Sequence, residues 1–345
     1  MSVQLNGNGG RNGFRPPAAI SFDLDNFWSY AKTHGDPGWE SYPSYFDVLL
    51  PRVCDLLDEE DLRITFFIVG RDASLSKNGK ALELIAGRGH SAGNHSFNHE
   101  PWYTRNPRDR IAEEIDEAER AVLNATGLKT TGFRGPGFSW SPDVFDILLD
   151  RGYTYDATTL PSFLGPLGRL YYFTQSRLSS EQKEERKILF GGIGEGLRPL
   201  YPYVWLCSGE RRLLEIPVTT LPVFKVPVHL SYLLYLSRFG EGIALSFFQQ
   251  ALRLMRMTGS GLSFLLHPLD FLDAQRCPEL SFFPGMDLNE AFKADFFSKV
   301  IRLIRRYFRP VSLDHYARLL QRSDRPPVPL RTVPVGGSLR QKREE

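Results

Sequence analysis

Short, almost uninterrupted apolar runs alternate with segments of 3.6-residue periodicity across some 300 residues of this chain, and that alternation limits the folds open to it. AAISFDLD (18–25) and RITFFIVG (63–70) are β-branched and aromatic enough to be strands buried on both faces. YTYDAT (153–158), LLEIPVT (213–219), GLSFLLHP (261–268) and RPVSL (309–313) repeat the pattern. Between them, 107–124 is a helix, with Asn106 placed as its cap, Pro107 in its first turn and Gly127 beyond its end. Ile111, Ile115, Ala118 and Val122 fall on one face of that helix. Further helices are expected over 142–151, 243–257, 290–307 and from Asp314. Strand–helix alternation on this scale means an α/β fold with a parallel sheet, either open or closed into a barrel. Periodicity alone does not choose between the two.

The rhythm bounds one domain over 17–320, with polar, Gly-, Pro- and charge-rich tails over 1–16 and 321–345 that have little apolar surface to offset the entropy of ordering. It breaks once. Residues 163–203 carry Gly, aromatics and the charged run 181–187, and read as an insertion over one face of the fold, either a lid or a tolerated surface excursion.

Charge excludes one class of partner. With 42 Lys and Arg against 40 Asp and Glu, the net charge of +2 gives no reason to expect nucleic acid. Three scattered cysteines, Cys54, Cys207 and Cys277, form no C-x-x-C pair and suit buried thiols in a reducing compartment. No apolar h-region opens the chain and no apolar run approaches the ~18 residues of a membrane span, so a cytoplasmic protein is expected. Two apolar stretches, LSYLLYLSRFG (230–240) and IRLIRRYFR (301–309), either face the core or touch the cytoplasmic face of a bilayer as peripheral contacts.

The chemistry gathers where apolar runs end. In HSFNH, His95 and His99 stand four apart, so one helical turn would set both imidazoles on one side, a spacing that suits a transition metal. A catalytic zinc takes three protein ligands and keeps a place for water. The third ligand is suggested by SFDLD, where Asp23 and Asp25 close a buried strand and point the same way if it stays extended. One carboxylate would bind the ion and the other take a proton from the attacking water; alternatively one merely caps the next helix. GFRGPGFS (132–139) places Arg134 in a Gly/Pro turn where it would pair with a carboxylate or simply face solvent. GLSFLLHP ends on His267, a general acid or a structural histidine.

Taken in order, SFDLD, GHSAGNHSFNH (89–99), FRGPGFS and LLHPLDF resemble the motifs of the polysaccharide deacetylase family, the NodB homology domain of carbohydrate esterase family 4, and the D-x-D spacing resembles its cytoplasmic branch. The resemblance covers about residues 17–320. It implies a distorted, incomplete TIM-like (β/α) barrel and a divalent metal, most often zinc. It also implies that Asp25, His95 and His99 are the metal ligands, Asp23 the general base and His267 the general acid. Arg134 would orient Asp23, and the Pro136–Gly137 turn would offer the Gly137 N–H to the oxyanion. Three departures stand out: Gly137 and Phe138 exchange the family's frequent aromatic–Gly order, Ser91 replaces the usual Glu after Gly-His, and the fourth motif's Asp and Trp have no clear counterpart. The implied activity is removal of an N-acyl group, acetyl first, from an amino sugar, with a lipid-linked or cell-envelope saccharide as the partner that suits a chain without an export signal. Hydrolysis of a small ureide-like amide, and a non-catalytic glycan-binding scaffold, are the rival readings. Oligomeric state is not legible in the sequence.

Overall fold

A computed structural model describes residues 15–176, 178–189, 191–322 and 332–335. Ten strands appear among them: β1 Pro17–Leu24, β2 Thr65–Ile68, β3 Ser91–Asn94, β4 Gly132–Phe133, β5 Tyr155–Asp156, β6 Tyr203–Leu206, β7 Arg212–Glu215, β8 Ser263–Leu266, β9 Arg309–Ser312 and β10 Thr332–Pro334. They join one sheet in the order β10-β6-β7-β5-β4-β3-β2-β1-β8, with β9 also pairing with β1. All ladders are parallel except β6–β7. Helices between the strands supply the crossovers that parallel pairing requires.

The period-2 alternation of β1 sorts its side chains between two cores. Ala18, Ile20, Phe22 and Leu24 face a helical layer that includes Phe46–Glu59, Ser76–Gly87, Glu241–Thr258 and Glu290–Tyr307. Ala19 faces the interior instead, with Phe67, Tyr155, Leu214 and Ile216. Two glycines make that interior possible. A Cβ on Gly132 would lie 2.0 Å from the Tyr155 ring, and one on Gly93 would lie 2.5 Å from Phe67. The floor is plugged by the helix Leu313–Arg322, which inserts Leu313, Tyr316, Ala317 and Leu320. Asp314 ties the plug down: its N–H donates to Thr65 Oγ1 at 3.0 Å and its carboxylate accepts from Thr131 Oγ1 at 2.8 Å.

The sheet closes on itself without a full ladder. Beyond β7, Val218 N–H donates to Thr159 O, and Thr219 N–H to Ser263 O at 3.1 Å. Ser263 N–H donates back to Thr219 Oγ1 at 2.6 Å. This thin seam between the β7 extension and β8 makes the fold the distorted barrel that the resemblance implies.

Several sequence boundaries shift. The helix over 107–124 runs Arg108–Thr126, and Pro107 rather than Asn106 stands at its N-cap without a side-chain bond; Gly127 closes it at φ 70° as expected. The helix Glu290–Tyr307 lies where its periodicity places it. Strand β3, SAGN, carries no apolar run, because it sits where Phe67 needs room. Within the expected C-terminal tail, β10 pairs with β6; residues 1–14 and most of the rest of that tail lie outside the described residues. In IRLIRRYFR, Ile301, Ile304 and Phe308 are buried in the core, whereas LSYLLYLSRFG divides: Leu230, Leu233 and Leu234 are buried, and Tyr232, Tyr235 and Phe239 are exposed. Among the described residues no helix is long and apolar enough to cross a membrane. All three cysteines are free and buried.

The 163–203 segment forms helices Gly165–Gln175 and Ser180–Glu185 and ends in β6. It lies against loops that follow the strands' C-terminal ends. Arg186 donates to Lys32 O at 3.1 Å and stacks on Trp102 at 4.8 Å. Leu189 packs where a Cβ on Gly137 would come, 2.9 Å away.

Candidate metal centre

The row Leu24, Ile68, Asn94 and Phe133 is paired in register across β1 to β4. One residue further on, the chain delivers Asp25, His95 and Arg134 together at the C-terminal mouth of the barrel, the end at which barrel enzymes hold their chemistry. On the other side of β1, Phe22 pairs with Leu266. The next residue in each strand brings His267 level with Asp23.

Asp25 lies at the centre. Its Oδ1 is 2.9 Å from His99 Nε2 and 3.5 Å from His95 Nε2. The ligand-capable atoms of all three residues lie within 4.8 Å of one another. An ion bound tetrahedrally at 2.0–2.2 Å separates its ligands by roughly 3.3 Å, so these spacings fit one cation. Two further features support the fit. Asp25 Oδ1 is buried and no donor reaches it in hydrogen-bond geometry, a costly state for a carboxylate that a cation relieves. His95 Nδ1 lies 2.6 Å from the Arg134 carbonyl, so with its proton donated there the Nε2 lone pair faces the cluster. Burial alone would raise the Asp25 pKa, but His99 and then His95 hold its carboxyl well below the usual range. Burial would depress His95, yet Asp23 foremost, with Asp25 and the Arg134 carbonyl, raises it.

The helical turn expected across HSFNH does not form. The segment is an irregular loop after β3, with Ser96 at φ 60° and His99 at φ 51°. Hydrogen bonds hold this left-handed backbone: Ser96 N–H to Asn94 Oδ1, His99 N–H to Ser96 Oγ, and Phe97 and Asn98 N–H both to Glu114 Oε1. The two imidazoles still meet, edge to face, with centroids 4.8 Å apart. Glu114, the residue that ties down the loop, stands on the helix Arg108–Thr126 and carries no sequence signal beyond helical spacing.

Neither aspartate caps the following helix. Asn26 does, accepting from Phe27 N–H at 2.8 Å. Asp23 is buried and accepts from Arg134 Nη1 at 2.6 Å. Arg134 is not a surface residue: only 1% of it is exposed. Nη1 also donates to Ser21 Oγ at 2.9 Å, Nε donates to Ala157 O at 2.9 Å, and the guanidinium lies 4.4 Å over Phe67. Four interactions therefore hold one side chain beside Asp23.

Pro136–Phe138 form a single 3-10 turn with Gly137 at φ 59°. The turn's own bonds run from Phe138 and Ser139 N–H to the Gly135 and Pro136 carbonyls and leave the Gly137 N–H out. The departure at Gly137 has a counterpart in space: Leu189 and Pro101 fill the position its side chain would take.

His267 is oriented through Ser231, whose Oγ lies 3.3 Å from its Nδ1 and donates to Asp270 Oδ1 at 2.6 Å. Asp270 Oδ2 accepts the His267 N–H at 2.8 Å. Two neighbours escaped the sequence reading. His229 sits edge-on to His267, 5.4 Å away, and burial followed by the His267 charge keeps it far below the ordinary imidazole range. Tyr30 has a buried hydroxyl without a hydrogen-bond partner, and burial, then Asp25 and other nearby acids, keep it protonated. Both lie in segments where a lone His or Tyr has no spacing partner.

A buried Asp-His-His cluster, a second carboxylate gripped by a buried arginine and a histidine level with that carboxylate thus lie at the mouth of an α/β barrel. Residues 36–155 match the family model described as polysaccharide deacetylase, a stretch that includes His95, His99, Arg134, Pro136 and Gly137. About a third of the chain is thus similar to the polysaccharide deacetylase family. It is 30% identical over 107 residues to the uncharacterized protein YlxY of Bacillus subtilis, covering 31% of this chain and 31% of that protein. It is 25% identical over 157 residues to a peptidoglycan deacetylase of Helicobacter pylori, covering 43% and 50%. The chain thus spans about a third to a half of the length of these curated relatives. A Mycobacterium smegmatis structure assigned as a polysaccharide deacetylase superposes with a TM-score of 0.56 at 19% identity, over 90% of this chain and 92% of that one, a likeness of fold.

Proposed function

We propose that this protein is a metal-dependent amide hydrolase that removes an N-acyl group, acetyl first, from an amino sugar of a lipid-linked or cell-envelope saccharide on the cytoplasmic side of a membrane. The observation that carries this reading is the convergence of Asp25, His95 and His99 beside an Asp23 gripped by a buried arginine. Three buried free thiols suit a reducing compartment.

Asp25, His95 and His99 would hold a divalent cation, zinc first, which when bound supplies Lewis acidity toward a carbonyl and toward water. Asp23 accepts a proton as water adds to the acyl carbon. Arg134 keeps that carboxylate aimed, donating to its Oδ1 from Nη1 at 2.6 Å. The Gly137 N–H donates to the oxygen that becomes negative, a contribution that is largest in a dry, preorganised site. His267 gives its proton to the nitrogen as the carbon–nitrogen bond breaks, so that an amine rather than an amide anion departs. The acyl group leaves as a carboxylate.

The test is direct. Purified protein with stoichiometric zinc should release acetate from N-acetylated amino saccharides, and Asp23→Asn should abolish release while keeping the metal. Metal-loaded wild type that hydrolyses a soluble ureide but no acylated amino sugar would sink the proposal, as would a chain that takes up no divalent ion.

A further inference from the structure

The three residues of the metal cluster come from two loops, one after β1 that carries Asp25 and one after β3 that carries His95 and His99. Strand register brings the loops level only where they begin. Strand β2 stands between β1 and β3 in the sheet, and the short helix Gly70–Ser74 that follows it reaches both loops. Its main chain holds the histidine loop. Gly70 N–H donates to Ser96 O at 2.8 Å and Arg71 N–H to Phe97 O at 3.0 Å, and both acceptors lie between the two histidines. A Cβ on Gly70 would come 2.5 Å from Ala118 Cα and 2.7 Å from the Phe97 ring, so this close approach requires glycine. Ala118 stands on the helix Arg108–Thr126, which also carries the Glu114 that binds the Phe97 and Asn98 N–H groups.

The side chain of Asp72 holds the other loop. It is fully buried. Its Oδ1 accepts from Asn26 Nδ2 at 2.7 Å and from Trp28 Nε1 at 3.0 Å, and its Oδ2 lies 3.1 Å from the same indole N–H. Its main-chain carbonyl accepts from Asn78 Nδ2 at 2.9 Å, which fixes Asp72 in turn. Asn26 directs its other amide proton to Ser44 Oγ at 2.9 Å and accepts from Phe27 N–H, so both polar atoms of that amide are partnered. Asn26 directly follows Asp25, whose own carbonyl accepts from Tyr45 OH at 2.6 Å. The metal-facing end of β1 is therefore fastened from outside its own segment, 46 residues along the chain in the case of Asp72.

A buried carboxylate held by neutral donors is a costly way to fasten a turn. Burial pushes Asp72 up to about 6, against the pull of the Asn26 and Trp28 donors. What a carboxylate supplies here is two oxygens that only accept, and Asn26 and Trp28 both donate. We propose that Gly70–Asp72 is the bracket that sets the metal cluster: its main chain fixes the His95–His99 loop, and Asp72, acting through Asn26, fixes Asp25 against it. Asp72 is a positioning residue, and its role rests on the metal reading of the site. Partners that orient metal ligands are worth about 10–100-fold in metal affinity.

The test measures zinc affinity of the full chain by competition with a chromophoric chelator, alongside thermal unfolding of the metal-free protein. It compares wild type with Asp72→Ala, Asn26→Ser and the two combined. Asn26→Ser keeps a cap acceptor for Phe27 N–H and leaves the Asp72 charge in place, but removes the amide that reaches Asp72. Each single variant should bind zinc about tenfold to a hundredfold more weakly than wild type. The double variant should bind no more weakly than Asp72→Ala alone, since both changes break one bond. Leu313→Ala, a control in the floor of the barrel, should lose stability and keep wild-type affinity. Wild-type affinity in Asn26→Ser overturns the bracket even where Asp72→Ala is weakened, because the charge of Asp72 rather than its grip is then at work. So does an affinity loss in Leu313→Ala that matches its loss of stability, because zinc binding then reports general loosening. If Asp72→Ala does not fold, Asn26→Ser against Leu313→Ala decides alone. Wild type that binds zinc no more tightly than the variants overturns the bracket and leaves the hydrolase reading standing; wild type that takes up no divalent ion overturns both.

Discussion

At the scale of single residues the site depends on side chains with more than one partner. Arg134 holds Ser21, Asp23 and the Ala157 carbonyl from one planar fork. A lysine has one nitrogen and cannot span them. Arg134→Lys should therefore lower kcat at least about tenfold with metal content unchanged; full activity in a steady-state assay would mean that Asp23 needs no such grip. His267 is not among the three residues that could hold the cation, so His267→Ala should cost about 10²–10⁴ in kcat while zinc stoichiometry, measured by elemental analysis, stays the same. Equal loss of both would refute the acid role. The three thiols are each pushed up to about 11 by burial, so a thiol reagent at pH 7 should label Cys54, Cys207 and Cys277 only after denaturant is added. The sequence announces most of these residues by type and position. It does not announce His229, Tyr30 or Glu114, because nothing in local spacing says which lone polar residue a distant segment will meet.

At the scale of elements, loops are fixed by helices behind them. Lys293, on the helix Glu290–Tyr307, donates to the Leu269 and Leu272 carbonyls and so holds the turn after His267. Burial brings its ammonium down to about 8, although Asp270 and other carboxylates pull the other way. The direction of the linkage follows. Below about pH 8 both native and unfolded chains carry the proton, and the native state bears the cost of burying the charge. Between about 8 and 10.4 the unfolded chain keeps a proton that the native chain has lost, so this group's contribution to stability rises with pH, by about 3 kcal/mol at most. Urea unfolding at pH 7 to 10 should show that rise as a difference between wild type and Lys293→Met; parallel pH curves would refute it. The plug helix gives a second element-scale outcome. Leu313 is fully buried in the barrel interior, so Leu313→Ala should destabilise by about 2–5 kcal/mol in the same measurement. Strong periodicity made helices such as Glu290–Tyr307 readable. The HSFNH loop was not, since its left-handed residues are held by Asn94, Ser96 and Glu114 rather than by any local preference of His or Ser.

At the scale of the whole molecule, the metal cluster joins the ends of β1 and the loop after β3, which lie about seventy residues apart in the chain. A cation that binds only the folded arrangement stabilises it by mass action, about 2.7 kcal/mol at a hundredfold excess over its Kd. Zinc should thus raise the Tm in calorimetry, a chelator should lower it, and Asp25→Ala should be insensitive to both. The sequence by itself determined the alternating α/β architecture, the buried strands and the identity of the residues that close them, because hydrophobic period and side-chain chemistry are local properties. Only the tertiary structure decided that Asp25, His95 and His99 share one point, that Arg134 turns inward onto Asp23, and that the sheet closes through the Thr219–Ser263 seam. Each of these depends on register between strands and on which distant side chain fills which space, and no window along the chain contains both partners.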